Sequence, residues 1–213
     1  MAEQTRKTVS WPRKLFHLGM ISSVGLVTGL SGIERPWALA VMAVLAVIVG
    51  GLDLLRLLSP AWNARVLREF SSIIRREETD HLSSSTWFLI GALATLAFAP
   101  LPFAATAFLY LAVGDPIASW IGVRFGRTRL PGGKSLEGSL ALVVACALLG
   151  TVFLGLTHSA SWTTAPLLAL AGAFAAAFAE WLPLGPVDDN CSVPLATAGA
   201  LAGVTSWLHP VLV

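Results

Sequence analysis

The sequence predicts an all-α, polytopic integral membrane protein with about seven transmembrane helices and a cytoplasmic N-terminus. Three observations carry that prediction. Of the 213 residues 55 % are hydrophobic and only 12 % are charged, and the mean hydropathy of +0.75 lies well outside the balance of a soluble domain. Seven segments, 15–31, 36–57, 85–101, 103–121, 138–157, 164–183 and 193–212, are apolar over about the 20 residues that a hydrocarbon core roughly 30 Å thick requires. With these spans and an inside N-terminus, only Arg35 of the 14 Lys/Arg falls outside, which is the asymmetry that membrane insertion selects.

The first segment is short and carries His17, Ser22 and Ser23. Arg6, Lys7, Arg13 and Lys14 precede it as they would a signal peptide, but no small-x-small cleavage pattern follows, so a retained helix is expected. Its Gly25-x-x-x-Gly29 spacing would let another helix approach closely. The one long connection follows the second span. Ser59-Pro60 reads as an N-cap with proline at the first helical position, and Trp62, Val66, Phe70, Ile73 and Ile74 recur at helical spacing beside Arg65, Arg68, Arg75 and Arg76. Such a helix either lies on a membrane surface over anionic lipids or docks on the other spans.

The fourth span contains Asp115-Pro116. Proline has no N–H and crowds the preceding turn, so a kink is expected, with the carbonyl of Ala112 left without its usual donor. In lipid such a site is tolerated only where it is buried in protein or lines a cavity. Ser135 is placed to cap the fifth span. No Gly/Ser-rich or Pro-rich linker divides the chain, so residues 1–213 read as a single membrane domain. Cys146 lies in an apolar run and Cys191 in a polar stretch, without metal-ligand spacing.

The same topology sorts the acidic residues. Asp53, Asp115 and Glu180 fall toward the inner ends of the second, fourth and sixth spans, with Asp188 and Asp189 in the loop after the last of these. His17 and the Glu77/Glu78/Asp80/His81 cluster lie on that side too. A charge within a span costs roughly 2.5–3.5 kcal/mol at mid-membrane, so Asp115 and Glu180 need partners or a wet cavity, and a functional site is the default reading.

After Asp115 come Gly122 and Gly126, which allow close backbone approach, then Arg124, Arg127 and Arg129, and then Pro131-Gly132-Gly133-Lys134-Ser135. A glycine turn, a lysine and a helix N-terminus suit an anion, and nearby carboxylates suit a hard cation such as Mg²⁺ that bridges them to phosphates. Phosphate and metal at a membrane surface suggest a nucleotide. The segment is not a Walker A loop, since Thr128 stands where its first glycine belongs and helices flank it in place of a strand.

These residues resemble a known family. Gly114-Asp115, Ala118, Gly122, Gly126-Arg127 and Lys134-Ser135-x-Glu137-Gly138-Ser139 are similar to the signature of the CTP-dependent lipid kinases, which include dolichol and other polyprenol kinases, phytol kinase and the CTP-using diacylglycerol kinase. "RKLFH" at 13–17, with Arg13, Lys14 and His17, resembles the family's Arg-Lys-x-x-His. "RREETDHLSSSTWFLIG" at 75–91, with Glu77, resembles its basic-acidic segment, and "EWLPLGPVDDNCSVPL" at 180–195 its Glu…Asp-Asp-Asn…Pro-Leu ending.

The resemblance implies transfer of the terminal phosphoryl group of CTP to a lipid alcohol at the cytoplasmic face, a polyprenol or related isoprenoid alcohol first and diacylglycerol next. Such transfer depends on positioning and charge neutralisation. Lys134, Ser135 and the Gly132 and Gly133 amides are then expected to hold phosphates, helped by Arg127 and Arg129. Asp115 with Asp188 or Asp189 is expected to bind Mg²⁺, and one acidic residue to accept the hydroxyl proton. Asn190 orients nucleotide or metal, and Glu137 serves either in catalysis or beside Ser135 at the helix start. Arg13, Lys14, His17, Asp53, Glu77 and Glu180 are further candidates. The expected partners are CTP and a membrane lipid, with no nucleic acid, and the expected location is the cytoplasmic membrane if the source is prokaryotic.

Two rival readings differ in products or layout. A CDP-diacylglycerol synthase-like cytidylyltransferase has a comparable Asp and Lys-x-x-Glu-Gly block, but its Pro-Gly-His-Gly-Gly ending is absent after residue 139. A small transporter would place its substrate site near the midplane between matched halves.

Overall fold

The computed structural model describes residues 10–70, 78–130, 133–157, 159–182, 184–185 and 187–212. Their helices are α1 (Trp11–Leu30), α2 (Arg35–Leu58), α3 (Pro60–Glu69), α4 (Ser84–Phe98), α5 (Leu101–Phe125), α6 (Leu136–Leu156), α7 (Ala165–Trp181) and α8 (Asp189–Leu212). All but α3 occupy the seven apolar segments. Proline in the first turn starts α1, α2, α3, α5 and α7, where its missing N–H costs nothing. Among the described residues Arg35–Leu58, Leu101–Phe125, Leu136–Leu156 and Asp189–Leu208 are long and apolar enough to cross a membrane, while α4 and α7 are shorter apolar helices. The chain is thus an α-helical membrane protein.

Contacts fix the direction of each helix. Arg13 near the start of α1 reaches Ser84 at the start of α4, Asp53 near the end of α2 accepts from Ser83, and Lys14 meets Asp115 in the last part of α5. Lys134, just before α6, meets Glu180 at the end of α7 and Asp189 at the start of α8. Consecutive apolar helices therefore run in alternating directions, and these paired ionisable residues gather at one end. At the opposite end Arg35 donates to the carbonyls of Ala97 and Ala99 at 3.1 and 2.9 Å, satisfying groups that the end of α4 leaves unpaired. Exposed tryptophans mark both ends: Trp11, Trp62, Trp120 and Trp181 at the charged end, and Trp37, Trp162 and Trp207 at the other.

Helix α5 is the central element, packed against α1, α6 and α8. It is buried from Phe103 to Ala112, and it runs on through Pro116 to Phe125 with no break in the helix. Phe108 meets Phe88 of α4 edge to face with ring centroids 5.7 Å apart, and the Tyr110 hydroxyl donates to the Ala169 carbonyl of α7 at 2.9 Å. Helix α1 crosses α5 over Gly25 and Gly29, as their spacing predicts. The α5–α6 crossing near the charged end is tighter. A Cβ on Gly138 would lie 2.6 Å from the Ala118 carbonyl oxygen, so only glycine lets the two backbones approach this closely.

Helix α3 begins where expected, with the Ser59 hydroxyl accepting from the Trp62 amide. It buries no residue. The continuation of its predicted face through Ile73, Ile74, Arg75 and Arg76 lies outside the described residues.

Candidate active site

At the charged end a small cleft opens between α5, α6, α7 and α8, lined by Tyr110, Asp115, Leu142, Glu180, Asp189 and Val193 among others. Two lysines partner its carboxylates. Lys14 Nζ donates to both oxygens of Asp115 at 2.6 Å, with side-chain exposures of 11 % and 17 %. Lys134 Nζ donates to Glu180 at 2.7 Å and to Asp189 at 3.2 Å. Burial acts to lower the Lys134 pKa, but the charges of Glu180 and Asp189 and their hydrogen bonds raise it above the ordinary 10.5. Lys134 is therefore an ammonium at every physiological pH.

Asp188 caps α8. Its Oδ1 accepts from the Asn190 amide at 2.9 Å and also from the Asn190 side chain, which is why Asn190 is buried. The capping fixes the start of α8 and thereby carries Asp189 to Lys134.

Residues 128–130 pair with residues 133–136 as the two sides of a tight hairpin. Leu130 N–H bonds the Lys134 carbonyl at 2.9 Å, Gly133 N–H the Leu130 carbonyl at 3.1 Å, and Leu136 N–H the Thr128 carbonyl at 3.0 Å. The turn uses Gly133 at φ +78°. Ser135 caps α6 as its position predicts, with its hydroxyl accepting from Gly138 N at 3.1 Å. The Gly133 amide and the Ser135 hydroxyl are thus both engaged within the fold. Glu137 accepts from the Thr128 amide at 3.1 Å and closes the hairpin onto α6. Arg127 and Arg129 are exposed on its rim, Arg129 reaching the Gly133 carbonyl at 3.4 Å. Gly132 lies outside the described residues.

A second ionic centre adjoins the first. Arg13 donates to Glu78 at 3.2 Å and to Ser84 at 2.9 Å, and His17 is buried one turn further along the same face of α1. Asp53 receives Arg56 at 3.0 Å, the Ser83 amide at 2.6 Å and the Thr86 hydroxyl at 2.8 Å. Arg56 in turn reaches Asn63 and the carbonyls of Glu78, Thr79 and His81. This buried hub ties the 78–84 loop to the end of α2, and Asp53 is not among the residues that line the cleft. Glu77 lies outside the described residues.

The structure brings Asp115, Glu180, Asp189 and both lysines together, with Asp188 and Asn190 behind Asp189. Among the described residues no group of three or more His, Cys, Asp or Glu is assembled to hold a metal by itself. Sequence reasoning missed Arg56, although its three-residue spacing from Asp53 on one helix was a usable signal. It also missed Tyr110, Leu142 and Val193 in the cleft, which look like any other apolar positions of their spans.

Fold and cleft define a helical membrane protein with a polyionic site of lysines and carboxylates at one end. Comparison with known proteins gives that class its family. The chain is 32 % identical to the phytol kinase of Synechocystis sp. over 204 residues, covering 92 % of this chain and 80 % of that one. It is 26 % identical to the CTP-dependent diacylglycerol kinase 1 of Saccharomyces cerevisiae over 88 % of this chain and 70 % of that one. It is 28 % identical to the protein of the same name in Eremothecium gossypii, over 88 % of this chain and 64 % of that one. No family profile matches, and no solved structure matches. The chain belongs to the CTP-dependent lipid kinase family and is a lipid kinase.

Proposed function

We propose that the protein transfers the terminal phosphoryl group of CTP to the hydroxyl of a membrane lipid alcohol in the cleft between Asp115, Glu180 and Asp189. One observation carries this reading: two lysines from different parts of the chain, Lys14 and Lys134, meet three carboxylates in one cleft at one end of a membrane protein. Phosphoryl transfer requires this mixture, because cationic groups must neutralise the phosphates while a carboxylate manages the proton of the acceptor.

Asp115 accepts the hydroxyl proton as the lipid oxygen bonds to the terminal phosphorus. The bond from that phosphorus to the bridging oxygen breaks, and CDP leaves. When CTP binds, before this transfer, Lys14 and Lys134 turn from their carboxylates to its phosphates, with Arg127 and Arg129 as exposed helpers. Glu137 and Ser135 shape the hairpin that presents Lys134, and Gly133 lies in its turn. Asp189, supported by Asp188, would hold a Mg²⁺ ion, which commonly takes one or two carboxylates and completes its shell with water and substrate phosphates. When bound, the ion neutralises charge on the transferring group.

Helices α1, α2 and α4–α8 are read as seven crossings with the charged end in the cytoplasm. Their alternating direction supports this, as does the placing of Arg13, Lys14, Arg56, Arg65, Arg68, Arg124, Arg127, Arg129 and Lys134 at the charged end, against Arg35 at the other. Tryptophans at both ends suit the two membrane interfaces. For the acceptor, an isoprenoid alcohol is favoured by the relative named phytol kinase, and diacylglycerol is the alternative that the yeast relatives favour.

The test is purified protein with γ-labelled CTP or ATP and a panel of polyprenols, phytol and diacylglycerol. Label moving from CTP into a lipid phosphate, with CDP released, is the expected result. A CDP-lipid with pyrophosphate would instead assign a cytidylyltransferase, and no transfer to any lipid would overturn the reading.

A further inference from the structure

Helix α3 is not used by the phosphoryl-transfer chemistry, and its placement singles it out. It starts two residues after α2, an apolar helix of membrane-crossing length, at the charged end of the molecule. Asn63 fixes how it is turned. Its side-chain amide donates to the Thr79 carbonyl at 3.0 Å, and its Oδ1 accepts from Arg56 at 3.1 Å, so that edge of α3 is docked on the protein. At about 100° per residue, Phe70, Val66 and Trp62 follow on one flank, roughly 20° to 100° from Asn63. Arg65 and Arg68 fall on the side away from Asn63, with Glu69 between them and the apolar flank. Trp62 is 40 % exposed and Phe70 52 %, and Leu58, where α2 ends, is 72 % exposed.

The exposed apolar flank follows directly on the exposed Leu54, Leu55 and Leu58 at the end of α2, and Trp62 is exposed at the same end of the molecule as Trp120 and Trp181. A short helix with this layout has its apolar side at acyl-chain depth and its arginines at the level of lipid phosphates. We propose that α3 lies in the plane of the membrane interface and binds anionic lipid headgroups through Arg65 and Arg68. Glu69 opposes this attraction by one charge, so the two arginines set the sign of the surface. The inference is independent of the reaction performed in the cleft.

The test uses the full chain in nanodiscs of phosphatidylcholine alone or with about one-third phosphatidylglycerol, read by amide hydrogen exchange over residues 60–69 and by native mass spectrometry of retained lipid. Exchange in α3 is expected to be slower in the anionic discs, and retention of phosphatidylglycerol to fall roughly fivefold for each arginine removed in Arg65→Gln and Arg68→Gln. Glu69→Gln is expected to raise retention, and 0.5 M salt to weaken the difference. All three positions are exposed, so the variants should fold. Equal exchange in the two lipid compositions, or unchanged retention in the double arginine variant, would overturn the proposal whether or not the protein phosphorylates lipids.

Discussion

Lys14 of α1 holds both carboxylate oxygens of Asp115 of α5 at 2.6 Å, across 101 residues of chain. The pair is nearly dry, and removing one member of such a pair leaves an uncompensated charge that costs roughly 3–5 kcal/mol. The contact also fixes the angle at which α1 lies on α5, because it is made one turn from the end of the Gly25 and Gly29 crossing face that carries His17 and Ile21.

Asp115→Asn keeps the size of the side chain and an acceptor for Lys14. Transfer from CTP is expected to fall by at least about a hundredfold, the usual scale of a lost general base, and the melting temperature to fall because the Lys14 ammonium loses its anion, while the folded fraction keeps its elution and helix content. Radiolabel assays alongside size-exclusion chromatography check this. Transfer at the normal rate would remove Asp115 from the chemistry.

Lys14→Met leaves the Asp115 carboxylate without its cation, so both the melting temperature and the rate should drop. Lys14→Arg should restore stability better than rate, because guanidinium replaces the charge but not the reach of an ammonium. Thermal melts and steady-state rates for the two variants separate positioning from charge.

Asp53→Ala should destabilise the protein by roughly 3 kcal/mol, since Arg56 loses its carboxylate inside the hub. The folded fraction is expected to keep an ordinary rate per molecule, in contrast to Asp115→Asn. Active-site titration against total protein, with a thermal melt, distinguishes a structural loss from a chemical one.

The Lys134 pKa is raised in the folded state, so its pairing with Glu180 and Asp189 contributes fully below the ordinary lysine value of 10.5 and is lost only as pH rises through the higher folded value. Melting temperatures of wild type and Lys134→Met should therefore keep a constant gap from pH 7 to 9. The gap should narrow only in strongly alkaline solution. A gap that closed near pH 8 would mean that Lys134 is not held as described.

Much of the scaffold was legible because each signal was local. The expected span 36–57 is α2 at Arg35–Leu58, and the serines at 59 and 135 cap the helices they were expected to cap. The motif positions also converge, since alternating apolar helices must bring their charged ends to one side. What sequence could not supply was pairing. Nothing local tells Lys14 that Asp115 is its partner, or Arg13 that it will meet Glu78 and Ser84. For the same reason, the Gly133 amide looked free for an anion, and only the fold shows the hairpin that engages it.

Helix α7 has 17 residues, about 25 Å of rise, and faces outward through Leu167, Leu170, Phe174 and Phe178. If it crosses a hydrocarbon layer about 30 Å thick, as proposed above, it is several ångströms short, a mismatch that a bilayer relieves by thinning. Lipids beside such a helix would be drawn inward, toward the depth of Glu180 in its last turn. On that reading, an acceptor arriving along this flank would bring its hydroxyl near the cleft while its tail stayed in the bilayer, and the short helix would ease the extraction of a water-insoluble substrate.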